Sequence, residues 1–180
     1  MTHIVQDLLT LSRFDSGKDE LKLTRFSFSE AVQSLYHAVY MEARRHDHQL
    51  KLELEPDLPA IVADRERIVQ VMMNVVSNAI KYTPVGSVIE IHTDQKEQWV
   101  TVSVSDNGPG IPDEQKPRIF DMFYSGANKV VDSRRSLGLG LSLCKSIVTA
   151  HGGTISVSDN QPNGTVFTFT LPAGKVELHE

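Results

Sequence analysis

Gln70, Asn74, Asn78 and Lys81 stand at spacings of four, four and three. On a helix this stacks them along one line, with neighbours roughly 6 Å apart at Cβ. Three carboxamides and an ammonium make a poor core but a good lining for a polar cleft. An Asn carbonyl is a neutral, hard oxygen donor that suits Mg2+ when its other ligands already carry negative charge, as phosphates do. Lys81 adds a compact positive charge nearby. The plainer reading is a solvated helix face that holds two asparagines by chance, although Asn is a mediocre helix former.

Three further stretches carry chemistry. Asp106-Asn107-Gly108-Pro109-Gly110-Ile111-Pro112 packs two glycines and two prolines into seven residues, a sharply turned loop. Its glycines would let a flat ligand approach the backbone, and the Asp106 carboxylate would accept from an exocyclic amine such as that of adenine. A plain surface turn is the alternative. Lys129, Arg134 and Arg135 fall in a run from Ser125 to Leu137 with little periodicity. Such a run suggests a mobile lid, with cations of the right sign for a triphosphate. Ser136-Leu137-Gly138-Leu139-Gly140-Leu141-Ser142 opens the last helix. Glycines there leave free N–H groups at the positive end of the dipole, an anion site; they would equally permit close helix–sheet packing.

The elements that must position these residues follow from apolar spacing. Ile68, Val71, Met72, Val75, Val76, Ala79 and Ile80 repeat at steps of three and one, which predicts a core-facing helix from an Asp64 cap to about Tyr82. Leu21 to Phe28 alternates as a strand. Ser27 or Ser29 then caps a helix that buries Ala31, Val32, Leu35, Tyr36, Val39 and Ala43. This helix ends in Arg44-Arg45-His46-Asp47-His48, basic residues that complement a helix C-terminus and do not form a metal site. Further strands are expected at Gln49–Glu55, Ala60–Ala63, Ser87–Thr93 and Trp99–Ser105, with Asp94 to Gln98 joining the last two. A final hairpin is expected at Thr154–Ser158 and Thr165–Leu171, after a helix stopped by Gly152-Gly153. Cys144 reads as a small core residue of that helix. Met1 to about Asp15 reads as a further helix.

A chain of 180 residues with a net charge of −5 can bury a proper core. That charge is wrong for a nucleic-acid surface or a membrane-binding patch. One cysteine leaves no internal disulfide framework and fits a reducing compartment. No apolar run approaches the length of a membrane-spanning helix.

Taken in order, these stretches resemble the catalytic ATP-binding domain of bacterial sensor histidine kinases, in the superfamily that also holds Hsp90 chaperones, type II topoisomerases and MutL. The resemblance covers roughly Phe26 to Pro172. Asn74-Val-Val-Ser-Asn78-Ala-Ile-Lys81-Tyr82 is similar to the family's N box. It implies Asn78 as the magnesium ligand, Asn74 at a position linked to catalysis, and Lys81 and Tyr82 lining the phosphates and the ring or sugar. Asp106-Asn-Gly108-Pro-Gly110, followed by Ile111, is similar to the first glycine box, with Asp106 on the adenine amine. Ile119-Phe120-Asp121-Met122-Phe123 is similar to the F box, with Phe120 at the nucleotide. Leu137-Gly138-Leu139-Gly140-Leu141 is similar to the second glycine box. Thr165, after Gly164, matches a hydroxyl that supports the adenine contact. Lys129, Arg134 and Arg135 would neutralise phosphate charge, the two arginines and Lys81 during transfer.

The chain departs from the family in two places. Arg135-Ser136 stands where further glycines often precede the second glycine box, which implies a stiffer hinge or an arginine nearer the phosphates. The acceptor histidine of the upstream helical domain is not matched either, since His3 is followed by Ile4-Val5-Gln6. The resemblance therefore implies three parts: residues 1–17 as the end of the second helix of a dimerisation domain, 18–174 as the catalytic domain, and 175–180 as a tail. It implies an α/β two-layer sandwich, with a mixed, mainly antiparallel sheet of about five strands covered on one face by three helices. The implied cofactors are ATP and Mg2+. The implied activity is donation of the γ-phosphoryl group to a histidine of the parent's dimerisation domain, with a response regulator as downstream partner. A homodimeric, membrane-anchored parent and a monomeric cytoplasmic domain, unable to autophosphorylate alone, complete the expectation. The wording from Ser136 through Cys144-Lys-Ser-Ile-Val to His151-Gly-Gly is similar to potassium-responsive kinases of the Kdp type. Two other readings stay open: a conformational ATPase of the Hsp90 or MutL sort, and a nucleotide-binding interaction module without catalysis.

Overall fold

The computed structural model describes residues 21–121 and 140–173. Strand β1 (Thr24–Ser27) leads into helix α1 (Phe28–Arg45), followed by β2 (Gln49–Glu53) and β3 (Ala60–Ala63). Helix α2 (Arg65–Lys81), β4 (Val88–Lys96) and β5 (Trp99–Asp106) come next. A 3-10 turn (Lys116–Arg118), α3 (Gly140–Ala150), β6 (Ile155–Asp159) and β7 (Thr165–Pro172) complete the described chain.

Five strands form one sheet in the order β2-β4-β5-β7-β6. Only the β2–β4 pair is parallel, so the sheet is mixed and mainly antiparallel, as the family resemblance implies. Every second residue of β5 is buried, from Val100 through Val102 and Val104 to Asp106. Phe167, Phe169 and Leu171 of β7 do the same beside them. The three helices cover this face. The α2 stripe from Ile68 to Ile80 is wholly buried, and Leu143, Ile147 and Val148 of α3 join the same core. Side chains of this kind contribute roughly 1.5–3 kcal/mol each when fully buried. The opposite edge of α2 is thereby held at a fixed orientation, with its polar stripe on the boundary of the core.

Several boundaries differ from the sequence expectation. The first strand ends at Ser27 rather than Phe28. Ser27 caps α1 by accepting from the Glu30 N–H at 3.3 Å, and Phe28 is fully buried as the first helical residue. β1 pairs with β3 in a separate two-stranded ribbon, which alternation alone does not assign. β4 runs on to Lys96 and turns back through Glu97 and Gln98 only, because backbone pairing of Lys96 with Trp99 outlasts the apolar alternation. His48 lies beyond the helix end, after Asp47 in a left-handed conformation (φ 59°). Its ring is buried and does not complement the helix terminus. Residues 1–20 and 174–180, with the expected first helix and tail, lie outside the described residues.

Candidate functional site

Helix α2 begins with two clean terminations of the chain's polar groups. Asp64 Oδ1 accepts from the Arg67 N–H at 3.3 Å, and Oδ2 accepts from the Lys22 N–H at 3.0 Å. The Asp64 N–H donates to His151 Nε2 at 3.0 Å, while His151 Nδ1 donates to the Ile147 carbonyl at 2.9 Å. One imidazole therefore ties the C-terminal end of α3 to the start of α2. Further along, Asn74 Nδ2 donates to the Gly140 carbonyl at 3.4 Å. The polar stripe of α2 is thus joined to the first residue of α3, and Asn74 holds that helix start.

One turn on from Asn74, the half-buried Asn78 side chain has no hydrogen-bond partner among the described residues; only its backbone carbonyl is taken, by the Tyr82 N–H at 2.9 Å. Lys81 is half-buried in the last turn. Tyr82 is the C-cap, with a side chain 59% exposed and its ring 5.8 Å from Lys81 Nζ.

Thr83 closes the other end of the stripe. Its hydroxyl donates to the Ala79 carbonyl at 2.7 Å. His48 Nε2 lies 2.7 Å from the Thr83 hydroxyl oxygen, and His48 Nδ1 donates to the His46 carbonyl at 3.0 Å. The braced Thr83 methyl lies only 2.7 Å from where a Cβ on Gly108 would stand. Only glycine allows the loop after β5 to lie so close to the end of α2. From Asn74 to Lys81 the helix rises about 10 Å.

Asp106 is the last residue of β5 and is 7% exposed. Its Oδ1 accepts two backbone N–H groups, Gly108 at 2.9 Å and Thr165 at 3.3 Å. Its Oδ2 has no hydrogen-bond partner among the described residues. Burial pushes the carboxyl above the usual Asp range, and the two backbone donors pull the other way without fully offsetting it. A buried carboxylate oxygen left open in this way is costly unless a ligand donor completes it.

The remaining expected residues fall into place as follows. Thr165 reaches Asp106 through its backbone N–H rather than its hydroxyl. Gly110 takes a left-handed conformation (φ 85°) against the Gly164 backbone. Ile111 is half-buried against the core, and its carbonyl accepts from Lys116 Nζ at 2.9 Å. Lys116 also pairs with Asp113 and with Asp159 at the end of β6, at 2.6 and 2.9 Å, which anchors the segment after the glycine loop. Phe120 meets Phe167 of β7 edge-on, with ring centroids 6.2 Å apart. Leu141 packs on the same core. Met122, Phe123, Lys129, Arg134, Arg135, Leu137, Gly138 and Leu139 lie outside the described residues. Thr83, His48, His151, Asn160 and Asn163 belong to the site's framework without having been singled out in the sequence for it. Each acts through a partner many residues away, and local spacing carries no trace of that.

Comparison with known proteins places this geometry among relatives. A family model described as histidine kinase-, DNA gyrase B-, and HSP90-like ATPase matches residues 63–175. The chain is 36% identical over 176 residues to the sensor protein KdpD of Clostridium acetobutylicum, covering 96% of this chain and 19% of the relative. It is 43% identical over 128 residues to the adaptive-response sensory kinase SasA of Nostoc sp., covering 69% of this chain and 31% of the relative. Among solved structures, the catalytic domain of histidine kinase ThkA superposes with a TM-score of 0.75 at 34% identity, covering 85% of this chain and 97% of that one. ThkA solved in complex with the response regulator protein TrrA gives a TM-score of 0.75 at 32% identity, covering 96% of this chain and 49% of that one. The chain thus spans between a fifth and a third of the two curated relatives, and nearly all of an isolated kinase catalytic domain.

Proposed function

This chain belongs to the histidine kinase-, DNA gyrase B-, and HSP90-like ATPase family, and on that premise we propose that it binds ATP with Mg2+ and presents the γ-phosphoryl group to a histidine of a dimerisation domain in its parent sensor kinase. The observation that carries this reading is Asp106: a buried carboxylate with one oxygen saturated by backbone donors and the other without a partner among the described residues. An open anionic acceptor fits the exocyclic amine of adenine and repels a phosphate. It thereby sets the base at the Thr83–Gly108 end and the phosphates toward Asn74 and Gly140.

Between the two ends, the Asn78 carboxamide, which has no hydrogen-bond partner among the described residues, supplies a neutral oxygen. No group of three His, Cys, Asp or Glu that could hold a metal by itself stands among the described residues. The donor set therefore suits a cation that shares its ligands with phosphate oxygens. Bound Mg2+ would neutralise charge as the phosphoryl group leaves. Asn78 would hold it, Lys81 would add positive charge, and Asn74 would fix the first turn of α3, whose N–H groups would face the phosphates. Lys129, Arg134 and Arg135 are proposed to close over the phosphates, and Tyr82 to lie along the ring or sugar. The protein's work is positioning and charge stabilisation. No helix among the described residues is long and apolar enough to cross a membrane; cytoplasmic placement, and a response regulator as partner through the acceptor domain, belong to the same proposal, and the ThkA complex with TrrA supports the latter.

The test is transfer of label from γ-labelled ATP to a histidine-bearing dimerisation domain supplied in trans. The expected product is an acid-labile, alkali-stable phosphohistidine. Tight ATP binding with no transfer to any such domain would reduce the chain to a nucleotide-binding module.

A further inference from the structure

The turn between β6 and β7 makes contacts that the reading above does not use. Past Ser105 the ladder between β5 and β7 ends, so the carbonyls of the next residues lose their strand partners. Two asparagine side chains replace them. Asn160 Nδ2 donates to the Asp106 carbonyl at 2.8 Å. Asn163 Nδ2 donates to the Asn107 carbonyl at 2.8 Å and the Gly108 carbonyl at 3.0 Å. The turn has its own frame, since Asn160 N–H donates to the Gly164 carbonyl and Asn160 Oδ1 accepts from the Gln161 N–H, both at 2.9 Å. It is seated hard on the loop, because a Cβ on Gly164 would collide with the Asp106 carbonyl.

The Asn107 carbonyl and the Gly108 N–H belong to one peptide plane, which is rigid. Asn163 holds that plane at its oxygen, and the plane's N–H is the donor that occupies Asp106 Oδ1. Thr165, two residues past Asn163, supplies the second donor to the same oxygen. The turn therefore decides which carboxylate oxygen is saturated and which is left open.

We propose that Asn163 is a specificity-determining positioning residue for the nucleotide base, acting through the Asn107–Gly108 peptide on Asp106, with Asn160 as its support. The proposal rests on the reading of Asp106 as the acceptor for adenine. Loss of the Asn163 donor frees the peptide to rotate, and Asp106 then no longer presents one fixed open oxygen. A carboxylate at position 163 would face two carbonyls and repel both.

The experiment measures affinities for ATP and GTP, each with Mg2+, together with melting temperature, for the unaltered chain, Asn163→Ala, Asn163→Asp, Gln161→Ala and Asp106→Asn. The expected result is a roughly three- to tenfold narrower ATP preference in Asn163→Ala, the scale of one hydrogen bond's net worth. Asn163→Asp should narrow it further, and Gln161→Ala, whose exposed side chain has no hydrogen-bond partner among the described residues, should leave it unchanged. A merely structural turn would instead lower the melting temperature and weaken both nucleotides equally, which overturns the proposal. An unchanged preference in Asn163→Ala, alongside a collapsed one in Asp106→Asn, also overturns it while sparing the reading of Asp106. An unchanged preference in Asp106→Asn removes that reading and the proposal with it.

Discussion

At the scale of single residues, Asp106 concentrates the chemistry. Replacing it with Asn keeps an oxygen for the Gly108 and Thr165 donors and puts an NH2 where the open Oδ2 stands. The site then offers a donor to a donor. ATP affinity should fall about ten- to a hundredfold while a keto base loses nothing, as competition between ATP and GTP would read out. The same residue sets a pH dependence. Burial raises its folded-state pKa, so ionisation is unfavourable in the folded chain relative to the unfolded one. Below both values the carboxyl is neutral in both states and no penalty exists. As pH rises through the unfolded value near ~3.9 and then the raised folded value, stability is lost. Asp106→Asn should therefore be more stable than the unaltered chain at neutral pH, with the gap closing toward roughly pH 3. Urea unfolding at several pH values checks this, and a gap that widens on acidification would contradict it. Asn78→Ala should remove most of the Mg2+-dependent part of ATP affinity and leave the metal-free part unchanged, since the side chain supports no other described group.

Residue type and spacing raised Asp106, Asn78 and Gly108 as candidates beside plainer readings, and it was the order of the stretches along the chain that made them resemble a known family. Neither singled out Asn160 or Asn163. Their partners lie 54 to 56 residues away, and a turn rich in Asn, Pro and Gly reads as a plain turn wherever it occurs. His48 shows the converse. Its neighbours Arg44 and Arg45 suggest a helix terminus, yet the chain reverses at Asp47 and carries the ring inward to Thr83.

At the scale of elements, the helices were legible wherever apolar residues recur at steps of three and four. α2 runs from Arg65 to Lys81, as its stripe and its Asp64 cap require. Strand ends were less legible, because Asp94, Gln95 and Lys96 are held in β4 by backbone pairing that polar side chains do not advertise. Alternation also carried Phe28 into a strand, whereas Ser27 caps a helix that starts with it. Two joints between elements can be tested. A Cβ on Gly153 would collide with the Thr170 carbonyl of β7, so Gly153→Ala should cost about 1–3 kcal/mol of stability, the usual range for overpacking, measured by urea unfolding. His151→Ala removes the acceptor for the Asp64 N–H at the start of α2 and should cost about 1–3 kcal/mol as well. Neither change touches Asp106, and the ATP-to-GTP preference of both variants should stay as it was.

At the scale of the whole molecule, the sheet brings Asp106, Gly164 and Thr165 together at one end of β5 and β7, while α2 runs from that end to the start of α3. Element types were readable from their periods, while the fold class and the five-stranded sheet followed from the family resemblance. The separation of β1 and β3 into their own ribbon was not, since pairing between distant strands leaves no local signal. The proposed consequence of this arrangement is a cleft with a base end and a phosphate end. Calorimetric titration of the chain with ATP, ADP and GTP, each with and without Mg2+, tests that claim most directly. The account predicts that ATP and ADP bind, that Mg2+ strengthens ATP more than ADP, and that GTP is silent. Equal binding of ATP and GTP, or no binding by any of them, would contradict it.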